Sequence, residues 1–257
     1  MRIATLTAPE VAEAAFPGDA GTAILPMGST ETHGPGLPMG DYLIAEAIAL
    51  GIAARHGGAL VAPPLPFGGA DFFQRVPGAI ALSTATLTRV VEEALMCLIA
   101  GGFNRILIVN GHGGSIPAIE EAQRALRLNP GAVIPALHLW RNAGGWQEEL
   151  GGDPAALGHG GDPVASVALH LFPEWCRPEA FAPRQAAAKL FGQPIANFGA
   201  IRLGGAEFNL PTHVEQAAPG GVYADDPRGA NAAHGAAIVE RLVAAGAAML
   251  RAMEQPE

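Results

Sequence analysis

Apolar and polar positions fall into alternating blocks along most of the chain. Thr22-Ala23-Ile24-Leu25-Pro26-Met27 is a short apolar run ended by Gly28, the pattern of a strand buried on both faces. Tyr42 to His56 carries Ala, Ile and Leu at helical spacing and stops at Gly57-Gly58, as a helix closed by glycine does. Ala59-Leu60-Val61-Ala62 predicts a second strand before Pro63-Pro64. A Gly/Pro/Phe-rich connection then runs to Gly78, and a long connection in a compact domain usually serves function. Ser83 is placed to cap a helix from Thr84 to Ala100, again closed by a glycine pair.

Arg105-Ile106-Leu107-Ile108-Val109 is the clearest strand, and Ile116 to Leu128 the helix after it. Ala132 to Leu137 predicts another strand, which Pro135 weakens. Asp162-Pro163 opens a helix to Leu171, with Asp as cap and Pro at the first helical position. Residues 173–229 show little pattern, and Ala230 to Met253 is a long Ala-rich closing helix. Strands alternating with helices imply βαβ units, hence an α/β fold whose mostly parallel sheet is covered on both faces. No internal repeat is present, and 257 residues suit a single domain, 1–257.

Composition narrows the function classes. With 49% hydrophobic and 15% charged residues, the chain is a folding sequence rather than a disordered one. A net charge of -9 without clustered Lys or Arg disfavours nucleic acid as a partner, and none is expected. Cys97 and Cys176 lie far apart and are expected to be buried free thiols of a reducing compartment. Met1 to Thr5 has no apolar run of signal-peptide length, and no stretch is read as a membrane span. The expectation is a cytoplasmic protein with no membrane partner.

The chemistry-bearing residues gather just after the predicted strands. Glu31 and His33 follow the first, one residue apart, so in an extended segment both side chains point the same way. Asp41 precedes a helix, where it can serve as a cap, and His112 stands between glycines after the Arg105–Val109 strand. In parallel sheets, ligands bind beyond the carboxyl ends of the strands. Carboxylates and imidazoles clustered there suit Zn, Mn or Fe without choosing among them. Trp140, Trp146, Phe67, Phe72 and Phe73 can line either a pocket or the core. Glu120 and Glu121 read as a solvated helix face and His213 as structural. No Gly-x-Gly-x-x-Gly opens a helix after a strand.

Gly28-Ser29-Thr30-Glu31-Thr32-His33-Gly34-Pro35, then Leu37-Pro38-Met39-Gly40-Asp41, then Ile44-Ala45-Glu46-Ala47 resembles the first signature of the creatininase (creatinine amidohydrolase) family. Phe103 to Gly114 is similar to its second signature, Pro77-Gly78-Ala79-Ile80 to its Pro-Gly-Thr-Ile element, and Gly220 to Arg228 to its C-terminal Gly-Val-x-Gly-Asp-Pro-Arg element. The resemblance implies a three-layer α/β/α fold, a homohexamer, and two divalent metal ions that activate water against a non-peptide amide C–N bond of a small molecule, cyclic or formyl. Some members process modified peptides. On that pattern Glu31 and His112 bind one metal, His33 the other, and Asp41 bridges them. His159 matches the histidine of proton transfer.

Departures from the pattern also carry information. The Asp41 match needs a one-residue gap. Gly114 and Val164 stand where members carry glutamates for the second metal. Asp162 is then the nearest carboxylate and is expected to bind or closely support that metal, the other reading being only a helix cap. Creatinine is accordingly not the expected substrate. Lactone or cyclic-ketone hydrolysis at the same centre, and a non-catalytic metal-binding subunit, remain as alternatives.

Overall fold

A computed structural model of the chain describes residues 1–15, 21–127, 133–196 and 198–255. Helix α1 (Ala8–Ala15) precedes β1 (Gly21–Met27), α2 (Asp41–His56), β2 (Ala59–Val61), α3 (Thr84–Ala100), β3 (Phe103–Asn110), α4 (Ile116–Leu126), β4 (Ala136–His138), α5 (Leu139–Gly145) and α6 (Val164–Leu171). The strands form one parallel sheet in the order β2-β1-β3-β4. β1 lies between two neighbours and is buried at every residue, as its unbroken apolar run demands.

Strand alternation sends side chains to opposite faces, and each face meets helices. Ile24, Val61, Leu107 and Val109 pack against Ile44, Ile48 and Ile52 of α2 and Val167 of α6. The closing helix α8 (Ala232–Ala252) adds Ile238 and Leu242 to that side. Ala23, Leu25, Leu60, Ile106 and Ile108 face the other way, onto Leu87, Val91 and Leu95 of α3 and Ile119 of α4. The result is three layers, α/β/α, as expected from the pattern of elements.

Local signals explain most boundaries. Ser83 Oγ accepts the Thr86 N–H at the start of α3, and Gly57 closes α2 with φ +95°. Three expectations shift. Asp41 is the first residue of α2 rather than its cap, the fourth strand begins at Ala136 after Pro135, and α6 begins at Val164. Leu128 and Ala132, in the expected helix and strand, lie outside the described residues. Cys97 is exposed while Cys176 is buried, and both are free. α8 is long and apolar enough to cross a membrane by length and composition, contrary to the expectation of no such stretch. Its buried residues pack into the core described above.

The segment without pattern holds a second, antiparallel sheet in chain order: β5 (Lys189–Leu190), β6 (Gln193–Ala196), β7 (Ala200–Leu203) and β8 (Ala206–Asn209). Strands of two to four residues are too short for period-two alternation to register. Gly204 and Gly205, at φ +60° and +80°, turn β7 into β8. A short α7 (Val214–Ala217) follows.

Candidate metal centre

β1 and β3 are neighbours, with Met27 in register with Asn110, so the loops that follow them meet beyond the carboxyl ends of the two central strands. After β1 the chain folds back on itself: Thr30 bridges Gly40 and Ile80, and the Glu31 N–H donates to the Met39 carbonyl (2.9 Å). That return brings Asp41 onto Ser29, whose Oγ donates to Asp41 Oδ2 (3.1 Å) and whose N–H donates to Oδ1. The approach requires glycine at position 28, where a Cβ would stand 2.6 Å from the Tyr42 nitrogen.

His112 is fixed from both ends of its residue. Asn110 Oδ1 accepts the His112 N–H (3.1 Å), and Asn110 Nδ2 donates to the His112 carbonyl (2.8 Å). The ring Nε2 faces the Gly69 carbonyl at 3.3 Å, which leaves Nδ1 towards the carboxylates. Nδ1 lies 3.0 Å from Glu31 Oε2 and 3.6 Å from Asp41 Oδ2. His33 Nε2 lies 3.4 Å from Glu31 Oε1 and 3.9 Å from Asp41 Oδ2. Glu31, His33, Asp41 and His112 are all buried.

His159 joins this group from the loop before α6. Its Nε2 faces the Thr32 carbonyl (2.7 Å), and its Nδ1 stands 3.9 Å from Glu31 Oε1. The ring is stacked between His33 and Phe73, each at 4.9 Å between centroids. The Tyr223 and Ala224 N–H groups hold the His159 carbonyl (2.7 and 3.1 Å). Gly160, at φ +76°, lets the loop lie against Val222. The Gly220–Arg228 element therefore braces the centre from outside it.

Asp162 is placed differently from the expectation. It is fully buried, but Oδ1 accepts the Ser166 N–H (3.0 Å) and Oδ2 accepts from Gln147 Nε2 (3.1 Å). Gln147 Oε1 in turn faces His234 Nε2 at 3.0 Å. With both oxygens engaged, Asp162 borders the cavity without entering the group of converging donors. Val164 lines the same cavity. Gly114 has no room for a side chain, since a Cβ there would lie 2.6 Å from His112 Nε2 and overlap the Gly69 carbonyl.

The charges pull hard on one another. Burial raises the Glu31 carboxyl, but the His112, His33 and His159 imidazoles outweigh it and hold it at about 2. Burial and the nearby Glu31 carboxylate push Asp41 up to about 6. Burial disfavours a charged His112, yet the Glu31 and Asp41 carboxylates lift it well above the usual imidazole range. Burial takes His33 down to about 4, helped by His159 beside it, and lowers His159 as well.

Glu31, Asp41 and His112 offer one set of ligand atoms within 4.8 Å of one another, and Glu31, His33 and His159 a second. Buried Glu31 Oε2 faces His112 Nδ1 across 3.0 Å, and a cation set between them would neutralise the carboxylate and take the lone pair of the imidazole. The donor set of carboxylates and imidazoles fits a divalent transition metal. A cavity of about 530 Å³ opens onto these donors. Ser29, Thr32, Asn110, Gln147, His234 and Phe198 all support the site, and none was singled out from the sequence. Only the spacing of Asn110 before His112, two residues as in an Asx turn, offered a signal.

Fold and site together define an α/β protein with a carboxylate–imidazole cluster suited to a metal beyond the carboxyl ends of its central parallel strands. The family profile described as "Creatininase: Creatinine amidohydrolase" matches residues 4–250. The chain belongs to that family and is a metal-dependent amidohydrolase. It is 33% identical over 232 residues to a mycofactocin precursor peptide peptidase of Mycobacterium ulcerans, covering 86% of this chain and 80% of that one. It is 28% identical to the 3-dehydro-scyllo-inosose hydrolase of Thermotoga maritima, covering 75% and 66% respectively. The solved structure "Creatininase Mn" superposes with a TM-score of 0.77 at 24% identity, covering 99% of both chains.

Proposed function

We propose that the chain hydrolyses a non-peptide amide C–N bond of a small molecule, cyclic or formyl, at a centre of two divalent ions. The observation that carries this reading is the pair of buried ligand sets sharing Glu31, on the floor of a cavity large enough for a substrate. Glu31, Asp41 and His112 would hold one ion. Glu31 and His33 would hold the other, Zn, Mn or Fe, with Asp41 Oδ2 within reach of both imidazoles. Bound there, the ions supply Lewis acidity and a source of hydroxide near neutral pH.

The chain's own groups do the rest. Gly69 orients His112, and Thr32 orients His159. His159 is neutral near pH 7, because burial lowers its pKa, and its Nδ1 faces the cavity. It accepts a proton there and returns it to the departing nitrogen, which leaves poorly unless protonated. A second reading, cleavage of an amide in a peptide-derived substrate, is supported by the 33% identity to a precursor peptide peptidase. Lactone or cyclic-ketone hydrolysis remains a chemical alternative, because attack on a carbonyl is common to all three.

Purified protein, stripped with a chelator and reloaded with Zn or Mn, should be tested on cyclic amides, formamides, short amidated peptides, lactones and cyclic ketones. Release of ammonia or a free amine, lost on stripping and regained on reloading, supports the reading. Turnover confined to lactones or ketones, or unaffected by stripping, overturns it.

A further inference from the structure

We propose that the substrate carries an uncharged, flat apolar body beside its scissile bond, an aromatic ring or its equivalent, gripped by Phe72, Phe73, Trp140, Leu157 and Phe198. The inference rests on the hydrolase reading above and adds the class of molecule that the centre takes.

Beyond the metal-facing groups, the cavity wall is apolar. Phe72, Phe73, Trp140, Leu157, Val164 and Phe198 line it, and among the described residues no Lys or Arg does. The charged groups of the lining outside the centre are Asp71 and the hydrogen-bonded Asp162. A substrate carboxylate or phosphate remote from the ions would be desolvated against aromatic faces with no cation to receive it, which is strongly unfavourable. Arg184, behind Phe198, lies on the Tyr223 ring at 3.9 Å and 3.9 Å from Asp225.

The walls are fixed in place. Phe198 meets Phe72 edge-on at 4.9 Å and His159 edge-on at 5.3 Å. Trp140 spends its Nε1–H on the Gly111 carbonyl, so the indole turns only apolar surface to a ligand. Such preorganised aromatic surface binds without further ordering cost. Two of these side chains keep surface open to solvent, Leu157 at 44% and Phe198 at 37%, apolar area that a bound ring can cover. At about 30 Å³ per water-sized group, the cavity holds roughly fifteen non-hydrogen atoms besides ions and water. That is more than a single small lactam ring fills.

Hydroxamates chelate divalent ions and carry any desired body, so they report binding apart from turnover. Protein of verified metal content is titrated calorimetrically with acetohydroxamate, benzohydroxamate and 4-carboxybenzohydroxamate. Benzohydroxamate is expected to bind at least about tenfold tighter than acetohydroxamate, and the added carboxylate to cancel that gain. Phe198→Ala should weaken benzohydroxamate about fivefold and leave acetohydroxamate unchanged. Leu157→Lys, at an exposed position, should strengthen binding of the carboxylated compound by about threefold. Equal affinity for all three probes, or preference for the carboxylated one, overturns the inference and leaves the hydrolase reading standing. Failure of every hydroxamate to bind overturns both.

Discussion

Gly114→Ala should disable the centre, whereas Gly113→Ala, one residue away, should not. A Cβ at position 114 would stand 2.6 Å from His112 Nε2 and overlap the Gly69 carbonyl oxygen, whereas at position 113 it would meet nothing within 4 Å. Ordinary carbon contacts lie near 3.5 Å, so the His112 ring and the Gly69 backbone must part by roughly 1 Å. Two losses follow. The Nε2 contact with the Gly69 carbonyl, 3.3 Å in the structure, is broken, and Nδ1 is displaced from Glu31 and Asp41. Overpacking of this kind costs about 1–3 kcal/mol of stability, and a misplacement of about 1 Å at a reacting centre costs on the order of a hundredfold in rate. Thermal melting, bound metal by elemental analysis and kcat/KM on the best amide of the panel, read side by side for the two variants, form the assay. If Gly114→Ala matches Gly113→Ala in all three, the close approach of Gly69 and His112 does not organise the site.

His159→Ala should keep its full metal complement while turnover falls by about a hundredfold or more; loss of one ion per chain would instead make His159 Nδ1 a ligand, as its place beside Glu31 and His33 also permits. Metal affinity should rise about tenfold per pH unit between about pH 6 and 8, because His112 is held protonated well above the usual imidazole range and must release that proton to bind. Below about 6 the fall should steepen as Asp41 also gains a proton, and titration in buffers of differing ionisation enthalpy counts the protons; a flat profile refutes the assignment. Asn110→Ala should weaken metal binding about tenfold or more without unfolding the chain, since Asn110 clasps the His112 backbone from both sides; unchanged affinity by calorimetry would count against that role.

The layered fold was legible because its signals are long or two-sided. β1 and β3 are unbroken apolar runs, and α3 declares both its ends through Ser83 and a glycine pair. The second sheet was not legible. Its strands are two to four residues long and β8 is exposed throughout, so the few buried apolar positions, Ile195, Ala200 and Ile201, form no run that a pattern could register. The same limit hid Phe198, which sits in the turn region between β6 and β7 and reaches the cavity through tertiary packing alone. Asp41 was recognised as a carboxylate near a helix start, but its placement depends on a contact with Ser29 twelve residues earlier in the chain, which no local pattern encodes.

The departures from the family pattern acquire a physical meaning once the site is seen. Gly114 cannot carry a glutamate, because Gly69 and the His112 ring already occupy the space. Val164 has surrendered its place to the apolar wall, and Asp162, the nearest carboxylate in sequence, is held by Ser166 and Gln147. A second ion must therefore be supported by what remains. Glu31 turns one oxygen towards His112 and the other towards His33, so it can serve both ions where the resemblance gave that role to Asp41. Asp41 has Oδ1 engaged by the Ser29 N–H and offers chiefly Oδ2. A catalytic ion commonly needs three protein ligands and an open position, and each set around Glu31 meets that count only if His159 is included in the second. The same imidazole is thus asked for as ligand and as proton carrier, and the metal content of His159→Ala separates the two demands.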